Sequence, residues 1–106
     1  MNHEWAAGLF EGEGYIRQFK VPTHHTYEVR IKMTDYDIIE RMQHLYGGSL
    51  GSEPSRKSHH KQIYVWALTR KAQVRDFLLK ILPFLGLRRT YLALNALDAI
   101  DNCYVT

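Results

Sequence analysis

The sequence predicts an α+β domain of order αββαββα, with an antiparallel four-stranded sheet and its helices on one face. Three observations predict it. From Tyr27 to Met33 apolar and charged residues alternate with period 2, the mark of a half-buried strand. Ile38, Ile39, Met42, Leu45 and Tyr46 keep helical spacing, and so do Val74, Phe77, Leu78, Ile81 and Leu82. A strand that runs into a helix occurs twice, across Met33-Thr34 and across Leu68-Thr69.

Asn2 to Gly12 reads as the first helix, with Asn2 as its N-cap and Glu4 in the first turn. Gly14 stands where a left-handed C-terminal cap would be. Tyr15 to Val21 is a strand ended by Pro22, and Thr23-His24-His25 is its turn. In the next strand Tyr27, Val29, Ile31 and Met33 face a core, while Glu28, Arg30 and Lys32 face something polar. Thr34 caps the second helix, Asp35 and Asp37 suit its first turn, and Gly47-Gly48 stops it. Ser49 to Ser52 is the third strand, followed by a loop of Gly, Ser and basic residues to about Lys61. Ile63 to Leu68 is the fourth strand, with Tyr64, Trp66 and Leu68 on one side. Thr69 opens the third helix and Pro83 ends it. A fourth helix runs from about Thr90 to Asp101, with Ala93, Ala96, Leu97 and Ile100 inward. Trp66, Phe77 and Phe84 are read as core. Too few apolar residues remain to cover the second sheet face, so it meets solvent or a ligand.

Composition sets the outer bounds. A chain of 106 residues is expected to form one domain, 1–106, and 45% hydrophobic with 12% aromatic residues can fill its core. Charged residues at 24% argue against global disorder. Lys and Arg outnumber Asp and Glu by 14 to 11, which permits a polyanionic partner without requiring one. Cys103 is the lone cysteine, so neither a disulfide framework nor a cysteine-based zinc site can form within the chain. No secretory leader pattern or membrane-length apolar run is present, and the chain is expected to be soluble and intracellular, in cytoplasm or an organelle, with no membrane partner.

The chemistry concentrates in Ala6-Ala7-Gly8-Leu9-Phe10-Glu11-Gly12-Glu13-Gly14. Glycine inside a helix costs roughly 1 kcal/mol against alanine. Gly8 and Gly12, at i,i+4, share a face with Ala7 beside it, and such small residues allow close approach of a second helix or of the chain's own sheet. Glu11 and Glu13 sit at the helix C-terminal end, where the macrodipole opposes negative charge by about 0.3–1 kcal/mol each. A bound cation would offset that, and carboxylates are natural ligands of Mg²⁺.

These residues resemble the LAGLIDADG motif in its GLFEGEG variant. The order of elements and the tract Leu82-Pro83-Phe84-Leu85-Gly86-Leu87-Arg88 are also similar to the single-motif homing endonucleases, over most of the chain. The resemblance implies a site-specific double-strand DNA endonuclease that works as a homodimer, the motif helices pairing through Ala7, Gly8, Glu11 and Gly12. It implies that Glu13, with Gly12 beside it, holds Mg²⁺ or another divalent cation at a scissile phosphate, while Glu11 is structural. Arg88 takes the place of a catalytic lysine, at a helix start that would welcome phosphate; Arg89 can serve equally. The strand face of Glu28, Arg30 and Lys32 lies in the major groove, extended by Arg17 and Gln18 and by Arg56, Lys57, His59 and Lys61 of the loop. The partner is then double-stranded DNA with a near-palindromic site. Two positions depart from the usual pattern: Glu13 where Asp is frequent, and Ala6 where Leu leads. The bland alternatives are a solvated acid at Glu13 and a wet sheet face. The rival function is a cleavage-deficient RNA-splicing maturase or DNA-binding protein of the same fold. The paired histidines read as loop contacts to DNA or water rather than zinc ligands.

Overall fold

A computed structural model of the protein describes residues 2–21, 24–53 and 62–105. Its elements are α1 (Asn2–Glu13), β1 (Gly14–Val21), β2 (His24–Met33), α2 (Tyr36–Tyr46), β3 (Ser49–Glu53), β4 (Ile63–Leu68), α3 (Lys71–Ile81), a 3₁₀ turn (Leu82–Phe84) and α4 (Leu87–Val105). The expected α+β class holds, and the expected order αββαββα is followed by the fourth helix that the sequence also predicted. The strands pair antiparallel in the order β1-β2-β4-β3.

Alternation along the strands decides what each face does. Val29 and Ile31 stand opposite Leu68 and Trp66 in the β2–β4 ladder. All four join one core with Phe10 of α1, Ile39 and Met42 of α2, Phe77 of α3 and Leu97 of α4. The helices therefore lie on this face. Phe77 is its hub: it meets the rings of Phe10, Tyr46 and Trp66 edge-on, at centroid distances of 5.9, 4.8 and 5.2 Å. Edge-to-face packing suits aromatic quadrupoles. The Trp66 indole N–H is not stranded by burial, because it donates to the Gly47 carbonyl at 2.8 Å.

That carbonyl belongs to the turn that ends α2. Gly47 and Gly48 have φ of 74° and 93°, a region an L side chain rarely adopts. A methyl on Gly48 would also meet the Ala67 backbone and the Leu68 side chain. The double glycine thus lets β3 turn back against β4. Gly14 has a different reason. It is not a left-handed cap but the first residue of β1, and a Cβ there would overlap the Phe10 ring.

Several boundaries moved from their expected places. Asn2 is already helical, and His24-His25 belong to β2 rather than to a turn. Asp35, not Thr34, occupies the N-cap of α2, and its side chain makes no capping bond. Arg70, not Thr69, precedes α3. Phe84 is 46% exposed instead of core, because the 3₁₀ turn carries it past the end of α3. Among the described residues no helix is long and apolar enough to cross a membrane.

Glycine substitutions separate these roles. Gly48→Ala combines backbone strain with overpacking and is expected to lower unfolding stability by at least about 2 kcal/mol. Gly14→Ala is expected to lose about 1–3 kcal/mol through the Phe10 contact. Gly51→Ala meets open space and is expected to stay within about 0.5 kcal/mol of the parent. Urea denaturation of the three variants measures the order.

Candidate active site

Helix α1 is divided lengthwise. Ala6, Ala7 and Phe10 are fully buried against the chain's own core, while Gly8 and Gly12 are exposed. A Cβ added to either glycine meets nothing within 4 Å. Packing within the chain therefore does not explain them; they face outward as a bare strip of backbone. Ala7, expected at a dimer interface, instead faces inward and has no surface to offer a second chain.

The C-terminal end of α1 meets the start of α4, and the two helices exchange charges. Arg89 of α4 donates from Nη1 to the Gly14 carbonyl at 2.8 Å and from Nη2 to the Glu11 carbonyl at 3.4 Å. Its guanidinium also lies 5.7 Å from the Phe10 ring centre. In return, Glu11 Oε1 accepts the Gly86 backbone N–H at 2.6 Å. The first α4 hydrogen bond, Thr90 N–H to Gly86 C=O at 2.9 Å, starts at that residue. A cation thus sits at the negative end of one helix and a carboxylate at the positive end of the other. This explains why α4 begins at Leu87 rather than Thr90.

Two expectations change in consequence. The acid-rich end of α1 does not by itself call for a metal, since Arg89 already supplies positive charge there. The start of α4 does not by itself call for phosphate, since Glu11 occupies it. Glu11, expected at a dimer interface, makes a clamp within the chain, and Arg89, expected to contact DNA, is engaged with the carbonyls at the end of α1. Arg88, one residue earlier, is exposed and has no hydrogen-bond or ion-pair partner among the described residues. The two arginines that sequence left interchangeable are separated by the fold.

Glu13 is the acid left over. It is exposed and also without such a partner among the described residues. With Lys32, Met33, Thr34, Asp35 and Ile63 it lines an open cleft of about 420 Å³. The structure does not join Arg88 to Glu13. It does bring Asp35 into the cleft, a residue read from sequence as helix-start charge. The signal was local and ambiguous: an acid before a helix is ordinary, and only the missing cap bond shows that its carboxylate is free for other use.

The opposite face of the sheet begins at the same cleft. In register, Tyr15 stands beside Arg30 and Arg17 beside Glu28, whereas Gln18 stands beside Tyr27 on the helix side. Adjacent strand residues point to opposite faces, so Gln18 does not share the surface of Arg17, Arg30 and Lys32. Glu28 does lie on that face but is only 4% exposed. It takes the Arg30 Nε–H in an ion pair, and this hydrogen bond raises the Arg30 pKa. Glu28 is therefore a counterion of Arg30, not an acceptor open to a base. Arg56, Lys57, His59 and Lys61 lie outside the described residues.

A model of the LAGLIDADG-like domain matches residues 4–82. No curated protein is detectably similar in sequence. Among solved structures, I-CvuI bound to the I-CreI target in 2 mM Mg, with the DNA not cleaved, has TM-score 0.73 at 18% identity, covering 94% of this chain and 66% of that one. The archaeal intron-encoded homing endonuclease I-Vdi141I, complexed with DNA, has TM-score 0.68 at 15% identity, covering 95% of this chain and 69% of that one. The meganuclease I-AabMI bound to uncleaved DNA has TM-score 0.71 at 15% identity, covering 96% of this chain and 38% of that one. The chain thus spans about two thirds of the first two proteins and little over a third of the last. At these identities the likeness shows the fold.

The exchange of charges predicts unequal arginines. Arg89→Met is expected to lose about 1–3 kcal/mol of stability, the scale of charged hydrogen bonds to partly buried carbonyls. Arg88→Met is expected to change it by less than about 0.5 kcal/mol. Thermal or urea unfolding of both variants checks the difference.

Proposed function

The chain belongs to the LAGLIDADG family, and from that premise we propose that it is a homodimeric, Mg²⁺-dependent homing-type DNA endonuclease that cuts both strands of a near-palindromic duplex. One observation carries the reading. Of the two motif acids, Glu11 is held within the chain and Glu13 stands exposed, in a cleft that shares Lys32 with the open face of the sheet. Glu13 is thus the acid available to a phosphate lying on that face.

The donor chemistry fits a hard divalent cation. Glu13 and the last-turn carbonyl of Gly12 offer oxygen alone. Among the described residues no three His, Cys, Asp or Glu side chains gather as a metal cage. Mg²⁺ keeps several waters and takes one or two carboxylates, so it suits so sparse a donor set. When bound, the ion supplies a water nucleophile and neutralises charge on the phosphate. Glu13 orients that centre. Arg88, unpaired at the start of α4, binds the phosphate oxygens as the basic helper. Arg17, Arg30 and Lys32 hold the duplex across the sheet, with Arg56, Lys57, His59 and Lys61 extending the contact.

Two features of the surface support the dimer. The strip of Gly8 and Gly12 allows two α1 helices to approach closely. Leu87, at 87% exposure the most open large apolar side chain among the described residues, follows Gly86 at the same end of α1. A second copy would cover that apolar surface and bring a second Glu13 to the two-fold axis, one acid for each DNA strand.

The test is cleavage of a randomised duplex library with Mg²⁺ or EDTA, beside Glu13→Gln. Enrichment of one near-palindromic cut site is expected with Mg²⁺ alone, and Glu13→Gln is expected to lower cutting by about a hundred-fold or more while keeping DNA binding. Undiminished cutting by Glu13→Gln overturns the acid assignment; binding without cutting in the parent points to the maturase or DNA-binding role. Gly8→Leu is expected to shift the solution mass from dimer to monomer.

A further inference from the structure

The open face of the sheet mixes two acids with its cations, which a surface made to hold phosphates at large has no need of. Lys32 Nζ lies 3.1 Å from Glu53 Oε1 and 3.2 Å from Oε2. Its side chain reaches them from β2 across β4, where Val65 stands opposite it in register. Arg30 Nη1 is 3.9 Å from the same Glu53 Oε1, while Arg30 Nε is held by Glu28. The two carboxylates are not equivalent. Glu28 is buried beneath Arg30, whereas the Glu53 side chain is 42% exposed and belongs to the last residue of β3. Glu53 can leave; Glu28 cannot.

We propose that Glu53 is a specificity-determining residue, which neutralises Lys32 and Arg30 against phosphates at large and releases them where a base offers an amino group in exchange. The inference rests on the endonuclease reading of the same face. A phosphate has acceptors and no donor. When Lys32 turns to a phosphate, Glu53 is left beside another negative charge with nothing to bond, and the gain at Lys32 is offset by repulsion. The major groove differs, because cytosine presents its N4 amino group and adenine its N6 amino group there. At a base edge that fits, Glu53 exchanges the ammonium of Lys32 for a base amino group, and Lys32 goes free to a phosphate or a guanine. Such a device weakens binding to the wrong sequence as well as strengthening binding to the right one.

Glu53→Gln in the full chain keeps the shape of the side chain and removes its charge. Fluorescence anisotropy with a random-sequence duplex, over a salt series, reads the outcome. The affinity of E53Q for random duplex is expected to rise about three- to ten-fold, the scale of one partly screened charge pair. Its log K against log salt is expected to steepen by about 0.9, one added phosphate contact. Preference for the duplex enriched in the cleavage library falls correspondingly. In a Lys32→Met background the same substitution is expected to lose more than half of its effect. A parent that binds with ordinary salt dependence while E53Q matches it overturns this inference alone, as does a full-sized E53Q effect without Lys32. A parent that binds no duplex at any salt overturns the endonuclease reading along with it.

Discussion

The exchange between Glu11 and Arg89 is the constraint on which the site depends. Each helix end carries backbone groups without a partner inside the helix, partially negative at the end of α1 and partially positive at the start of α4. Placed side by side, those ends attract, and the two side chains complete what the backbones begin. Arg89 reaches the carbonyls of Glu11 and Gly14, and the Glu11 carboxylate takes the N–H of Gly86. The result fixes where α1 stops and where β1 starts. Glu13 lies between those two anchors, Glu11 and Gly14, so its backbone is held while its side chain is left free. On the proposed reading Glu13 holds a metal, and a metal ligand gains from being placed in this way, because its geometry is set before the ion arrives.

The glycines of the motif divide along the same line. Gly14 is small because Phe10 needs the room inside, and Phe10 in turn packs on Phe77, which carries Tyr46 and Trp66. Gly8 and Gly12 are small toward the outside, where nothing in the chain approaches them. One short stretch therefore serves the core with one side and a second copy, on the proposed reading, with the other. The inner face cannot absorb a larger residue at Gly14 without displacing Phe10.

What the sequence made legible was what is local. Period-2 alternation from Tyr27 to Met33 placed Val29 and Ile31 in the core, and helical spacing placed Phe77, Leu78 and Ile81 there. Trp66 could be assigned with Tyr64 and Leu68 to one face of β4, although that strand is apolar throughout. Partner choice was not local and stayed hidden. Glu11 and Gly86 are 75 positions apart, as are Gly14 and Arg89, so no window could show that these charges answer one another. Reading each helix end alone left two unexplained charges and invited a metal at one and a phosphate at the other. Gln18 failed for a simpler reason: grouped with Arg17 by chemistry, it is separated from it by the pleat. Phe84 was assigned to the core by hydrophobicity, where the geometry of the 3₁₀ turn decides instead.

The acids show why residue type underdetermines role in such a site. Glu11, Glu13, Glu28 and Glu53 are the same side chain in four settings. Glu11 ends a helix that has a neighbour with a free N–H, and it becomes a cap. Glu28 lies under a guanidinium on a pleated face, and burial makes it a permanent counterion. Glu53 holds a lysine from across a strand at the sheet margin, where exposure leaves the pair able to part. Glu13 has neither a hydrogen-bond or ion-pair partner nor cover among the described residues, and Lys32, which shares its cleft, is taken by Glu53. A carboxylate in that condition adds nothing to the fold, and the backbone around it is tied down on both sides at Glu11 and Gly14. Stability gives no reason for such an acid to be where it is; the metal of the proposed reading does.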